Sequence, residues 1–236
     1  MKRFYREAEA VRLEDGWAVA LDGRRVKTQG GNVLVLPNAA TAQVLANEWQ
    51  AQGEELDPSC FPLRDLADYA LDVIAGDKDA AIASLLRYAE TDTLCYRADP
   101  DEALWRRQQE VWEPLLAVCE ERHAIALQRV SGVMPRAQDS AALAKLRAHI
   151  ERMDFMTLAA LTTLASLAAS LVVGLAALEP DADGDALWRA ANLEEEWQAE
   201  HWGRDEEAAA RLDQRKTDFL AALSFAAALR GDEGAN

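Results

Sequence analysis

The chain has 236 residues and a mass of 26.0 kDa; 41 acidic side chains against 25 basic ones give a formal charge of −16 and a pI near 4.6. Such a balance excludes a basic nucleic-acid binder. With 50% apolar and 28% charged residues, most of the chain is expected to fold around one or two buried cores rather than remain disordered. Three cysteines, Cys60, Cys95 and Cys119, form no CxxC pair, and an odd number suits a reducing compartment better than a disulfide framework. The opening residues hold no apolar signal core, and Glu7, Glu9, Glu14 and Asp15 are too acidic for a transit peptide. A cytoplasmic location is therefore expected.

The first forty residues have short apolar runs: Val11 and Leu13, then Trp17, Val19 and Leu21, then Val26, then Val33 and Val35. Asp15-Gly16, Asp22-Gly23 and Gln29-Gly30-Gly31-Asn32 separate them. Asp-Gly between alternating runs is a hairpin signal, because glycine accepts a positive φ without a Cβ clash, so an N-terminal β-meander is predicted. After Pro37 the apolar period lengthens to that of a helix, with Asn38 as its cap, Val44, Leu45 and Trp49 on its inner face and Gly53 at its end.

Further helices are predicted near 63–75 and 78–90, with Asp77 a candidate cap of the second. Asp99-Pro100 reads as an N-cap with proline in the first helical position; that helix would carry Trp105, Gln109, Trp112, Leu116 and Cys119 on one face and be bent or split at Pro114. A short strand is expected within 125–130, and helices near 139–152, 155–178, 185–202 and 206–229, with 231–236 fraying. The uncharged run 155–178 is long enough to cross a bilayer. Its Ala, Ser and Thr content, the acids just beyond it and the lack of flanking basic clusters argue instead for a buried central helix. The fold class expected is α+β, with a β-rich domain carrying one helix over 1–58 and a helical domain over 59–236.

Phosphate loops, dinucleotide fingerprints, nucleophile elbows and H-E-x-x-H are all absent, so neither a catalytic residue nor a cofactor is assigned. Cys119 and His123 can share a helical face as half of a zinc site, but no second pair accompanies them, and no metal site is expected. Cys95 has no base beside it and reads as packing. The segment 192–203, NLEEEWQAEHWG, is more informative. On a helix Glu195 shares a face with Trp188, Gln198 and Trp202, Glu194 lies beside Leu187, Trp197 and His201, and Glu196 falls among Arg189, Asn192 and Glu200. Acids framed by aromatics suit recognition of an arginine or of backbone amides on a partner protein. The bland reading pairs Glu194 and Glu195 with a neighbouring arginine at an edge; the alternative function is a small cytoplasmic enzyme using the two as acid and base.

Several pieces resemble one family from end to end: Arg3-Phe4-Tyr5; Leu21-Asp22-Gly23-Arg24 with Val26-Lys27-Thr28; Glu48-Trp49; Pro62-Leu63 with Leu66-Ala67; Thr91-Asp92 and Leu94-Cys95-Tyr96-Arg97; Trp112 with Pro114-Leu115-Leu116; and Glu194-Glu195 with Trp197-Gln198 and Trp202-Gly203. Their order and spacing resemble the ATP synthase assembly chaperones called assembly factor two. The resemblance implies a non-enzymatic chaperone that binds the unassembled alpha subunit and prevents its aggregation until it pairs with beta. The missing targeting sequence points to a bacterial member acting in the cytoplasm; no membrane insertion is expected, and the chain is expected to act as a monomer. The family's important acid falls at Glu194 or Glu195, and Trp49 matches a tryptophan needed for folding more than for contact. Glu194, Glu195, Gln198 and Trp202 are accordingly the expected partner-binding residues. Phe61 where Met is commoner, Asp68-Tyr69 in place of Asn-Thr, and Trp197 in place of Tyr are departures on the scale of packing.

Overall fold

A computed structural model describes residues 1–132, 136–203 and 205–231; the fraying expected at the C-terminus lies, beyond Gly231, outside the described residues. The fold is α+β, a small antiparallel sheet followed by a mostly helical chain. It divides into two compact units: Met1–Lys78 with Asp154–Ala160 and Ala221–Asn236, and Asp79–Met153 with Leu161–Leu220.

In the first unit, strands β1 (Ala8–Arg12), β2 (Trp17–Leu21) and β3 (Arg24–Arg25) pair antiparallel in that order, with Ala8 opposite Leu21 and Arg12 opposite Trp17. The β2–β3 turn has φ of 47° at Asp22 and 78° at Gly23, two successive positive values that a tight two-residue hairpin requires and Asp-Gly supplies. β2 is central, and Ala18, Val19, Ala20 and Leu21 are all buried, so the one-sided alternation read from the sequence does not hold there. Leu34 and Leu36, not Val33 and Val35, supply the next core positions: Val33 is exposed, and Leu36 bridges to Trp17.

Helix α1 (Ala39–Gln50) starts at Asn38, whose Oδ1 accepts the Thr41 N–H at 2.8 Å. It buries Ala42, Leu45, Ala46 and Trp49, the i, i+3, i+4, i+7 stripe of an amphipathic helix. The Trp49 ring stands 5.7 Å from Tyr5 and 4.6 Å from Phe61 between centroids, and Tyr5 Oη donates to the Trp49 carbonyl at 2.6 Å. Glu48 caps helix α2 (Pro62–Tyr69) from outside: its carboxylate accepts the N–H groups of Leu63 and Arg64 at 2.7 and 2.9 Å. Burial pushes that carboxyl up to about 7 despite these donors and the nearby Arg64 charge. A π turn over Ala70–Ile74 continues α2 and presents Asp72, which accepts from Thr28, Gly30 and Asn32 and so pins the second hairpin loop.

Helix α3 (Lys78–Glu90) leads into the second unit, where β4 (Tyr96–Arg97) pairs parallel with β5 (Val130–Ser131), all that remains of the strand expected within 125–130. Helix α4 (Ala103–His123) begins three residues later than Asp99-Pro100 predicts, because the Asp99 carbonyl closes a turn onto the Glu102 N–H first. It is not split: the helix runs through Pro114, whose exposed side leaves the orphaned Glu110 carbonyl to water. Gln108, Trp112, Leu116 and Cys119 are its buried positions, so Gln108 takes the place expected of Gln109. Helix α5 (Ser140–Ile150) is capped by Asp139, which accepts the Ala141 N–H.

The expected single helix over 155–178 is two, α6 (Phe155–Ala168) and α7 (Leu171–Ala177). Ala169 takes the left-handed conformation at φ 49°, and the Ser170 hydroxyl accepts the Val173 N–H at 3.0 Å to start α7. Asp92, fully buried, accepts the Val172 and Leu94 N–H groups at 3.0 and 3.1 Å, and its burial pushes it up to about 6. Among the described residues no helix is long and apolar enough to cross a membrane. Asn192 likewise divides the predicted 185–202 helix into α8 (Gly184–Ala191) and α9 (Leu193–Trp202), and α10 (Glu206–Arg230) closes the chain. All three cysteines are free; Cys60 is exposed, while Cys95 and Cys119 are buried and pushed up to about 12.

Candidate protein-binding groove

Helix α9 is placed from two sides. Asp183 caps α8 by accepting the Ala186 N–H, and the chain turns at Asn192, whose side-chain amide donates back to the Trp188 carbonyl at 2.9 Å. Glu194, Glu195 and Glu196 then occupy the first turn of α9, where the helix dipole favours negative charge. Helix α4 fixes the inner side: Trp112 Nε1 donates to the Ala190 carbonyl at 2.7 Å, Gln108 Nε2 donates to Glu194 Oε1 at 2.6 Å, and Arg107 holds Glu200 with two hydrogen bonds at 2.9 and 3.2 Å.

These contacts separate the neighbouring acids. Glu194 is half-buried against Gln108, and burial raises its carboxyl above the ordinary value while the Gln108 hydrogen bond opposes the rise. Glu195 is exposed and faces a groove of about 630 Å³. Gln198 and Trp202 line that groove with it, as do Ala208, Leu212 and Arg215 of α10. Trp202 is 79% exposed, level with Met1 as the most exposed large apolar side chain among the described residues. Arg215 is already engaged, donating to the Leu167 carbonyl at 2.7 Å and lying over the Trp188 ring. Three of the four expected residues, Glu195, Gln198 and Trp202, thus come together on one wall, and Glu194 sits on the inner side of α9.

Sequence reasoning missed Gln108 and Arg107, which lie 86 and 93 residues from their α9 partners, and the α10 wall. Nothing in local spacing signals such pairings. The Cys119/His123 pair is likewise resolved by long-range packing: Cys119 is buried and the His123 ring stacks on His149 at 4.5 Å. Among the described residues no three His, Cys, Asp or Glu side chains gather as a metal site.

An antiparallel N-terminal sheet followed by a helical chain is an architecture shared with chaperones. Atp12 of Paracoccus denitrificans, in its parent form and as a mutant, superposes with a TM-score of 0.90 at 39% identity over 97% of this chain and 98% of that one. The Atu1473 protein of Agrobacterium tumefaciens, described as a chaperone candidate, superposes at 0.92 with 36% identity over 97% of this chain and 86% of its own. The mitochondrial atp12 protein of Schizosaccharomyces pombe is 24% identical over 88% of this chain and 75% of its own length; ATP12 of Saccharomyces cerevisiae is 26% identical over 80% and 72%. The family description "ATP12 chaperone protein" matches residues 2–120. The chain belongs to the ATP12 chaperone family, the assembly factor two family of ATP synthase that its motifs resemble.

Proposed function

We propose that this protein is a non-enzymatic chaperone of the unassembled ATP synthase alpha subunit, acting as a cytoplasmic monomer and holding its client soluble until beta takes its place. The observation that carries the reading is the α9–α10 groove, where an indole exposed to water stands beside the unpaired carboxylate of Glu195. A subunit bound for an obligate ring exposes apolar interface before its partner arrives, and a holdase must cover that surface and then release it. An aromatic contact ringed by charge suits specific yet exchangeable binding, because the charged rim steers encounter while the buried contact stays small. The enzyme reading has weaker support, since Gln108 occupies Glu194 and, among the described residues, no metal-binding cluster accompanies the pair.

The test is to mix the full chain with separately expressed alpha and beta subunits and follow light scattering and co-elution. The expected result is suppressed aggregation and a joint peak with alpha alone. Equal indifference to both subunits overturns the assignment.

A further inference from the structure

A second groove, of about 660 Å³, opens in the first unit, and its electrostatics oppose those of the chain as a whole. Arg24 and Arg25 of β3 and Lys27 just beyond it line the groove; all three are exposed, and none of their side chains has a hydrogen bond or ion pair to another described residue. That is unexpected in a chain of charge −16, where carboxylates are in surplus. The other charges on the wall are engaged, except that Asp68 Oδ1 is buried without a donor. Asp22 accepts the N–H groups of Arg6 and Glu7, Asp68 Oδ2 accepts the Gln29 N–H, and Arg64 pairs with Asp65 at 2.6 Å while lying over the Phe61 ring.

The same groove carries apolar surface. Phe4 is 65% exposed, with Leu21 and Val26 beside it on the wall. Trp49, only 8% exposed, also lines the groove, and its Nε1–H lacks an acceptor. A buried donor without a partner is costly and uncommon in folded proteins. Free cations, an exposed ring and an orphan donor together define a site for a ligand with several acceptors and an apolar side chain between them.

We propose that this groove binds an acidic polypeptide segment of a partner protein, its carboxylates on Arg24, Arg25 and Lys27 and an apolar side chain against Phe4. The apolar stretch separates a peptide from a bare polyphosphate, which has nothing to place there. The site is independent of the α9–α10 groove and of the identity of the client bound there.

The test is calorimetric titration of the full chain at low salt with a synthetic peptide alternating Glu and Leu, against the same peptide with Gln in place of Glu. The Glu peptide should bind and weaken as salt rises, and the Gln peptide should not bind. General electrostatics repels an acidic probe from this chain, so binding reports a local site. Arg24→Glu with Arg25→Glu should lower the affinity by about tenfold or more, as for other close charge pairs; Lys27→Glu should act in the same direction, and Arg106→Glu on α4 should change nothing. Circular dichroism melts confirm that each variant folds. Failure of the Glu peptide to bind, equal binding of the Gln peptide, an equal loss in Arg106→Glu, or binding of inorganic triphosphate that the peptide does not displace would each overturn the proposal. Co-elution with alpha is scored separately, so either reading can fail alone.

Discussion

Gln108 joins two separate parts of the second unit: its Oε1 accepts the Ala98 N–H at 2.9 Å and its Nε2 donates to Glu194 at 2.6 Å. Adjacent carboxylates on one helix therefore do different work. Glu194→Lys places a cation against the Gln108 amide donors in a half-buried position and should lower stability by about 1–3 kcal/mol. Glu195→Lys, on the exposed wall, should leave the melt within about 0.5 kcal/mol of the parent and weaken the alpha-subunit complex. Urea denaturation read beside co-elution separates them; a destabilised Glu195→Lys would make that acid structural.

Two tryptophans should divide in the same way. Trp49 packs between Tyr5 and Phe61, and Trp49→Ala should cost about 3–5 kcal/mol. Trp202, with most of its surface in water, should cost almost nothing on truncation to Ala while reducing protection of the client from aggregation. Light scattering of alpha with each variant, at a temperature where both are folded, checks the second half.

Glu48 should give stability a pH dependence. Its carboxyl stands at about 7 in the folded protein against 4.5 when freely solvated, so the folded state holds the proton more tightly. The associated stability is complete below the unfolded value and is lost as pH rises through about 7, amounting to at most about 3 kcal/mol. Urea midpoints across pH 5 to 8 should fall more steeply for the parent than for Glu48→Gln. Parallel curves would show that Glu48 does not titrate in that window.

Asp92 accepts the Leu94 and Val172 N–H groups, both buried. Asp92→Ala should cost about 2–4 kcal/mol, since both donors stay buried. Asp92→Asn, which retains one acceptor oxygen, should fall between. The order of the denaturation midpoints is the measurement.

Gly174 on α7 leaves little room for a methyl group: a Cβ there would lie 3.1 Å from the Ala165 Cβ and 3.2 Å from the Ala165 backbone nitrogen, closer than ordinary van der Waals contact. Gly174→Ala should destabilise by about 1–2 kcal/mol through overpacking, against the sign that helix propensity alone gives. A raised melting temperature would refute it.

What the sequence made legible was local. Asp22-Gly23 announces its hairpin because few residues tolerate two successive positive φ values, and Asn38 announces its helix because a short acceptor side chain satisfies a free N–H. The break at Ala169 was hidden: no glycine or proline stands at it, and the run on either side is uncharged, with Ser and Thr scattered along it. The left-handed residue there is held by the caps that follow it, one of them supplied by Asp92 from far along the chain. Of the groove, Glu195, Gln198 and Trp202 of α9 were readable from helical spacing as sharing one face. The α4 side chains that orient them were not, because hydrogen bonds spanning so many residues leave no periodic trace.

The contrast among the three thiols has a practical side. Maleimide chemistry requires an accessible thiolate, and Cys60 alone offers an accessible sulfur, since Cys95 and Cys119 stay protonated inside the second unit. A fluorophore attached at Cys60 would sit one residue from Phe61, whose ring packs on Trp49, and at the edge of the aromatic cluster that anchors the N-terminal sheet. The native chain thus carries its own attachment point for an optical reporter of that cluster, with no cysteine to be added or removed.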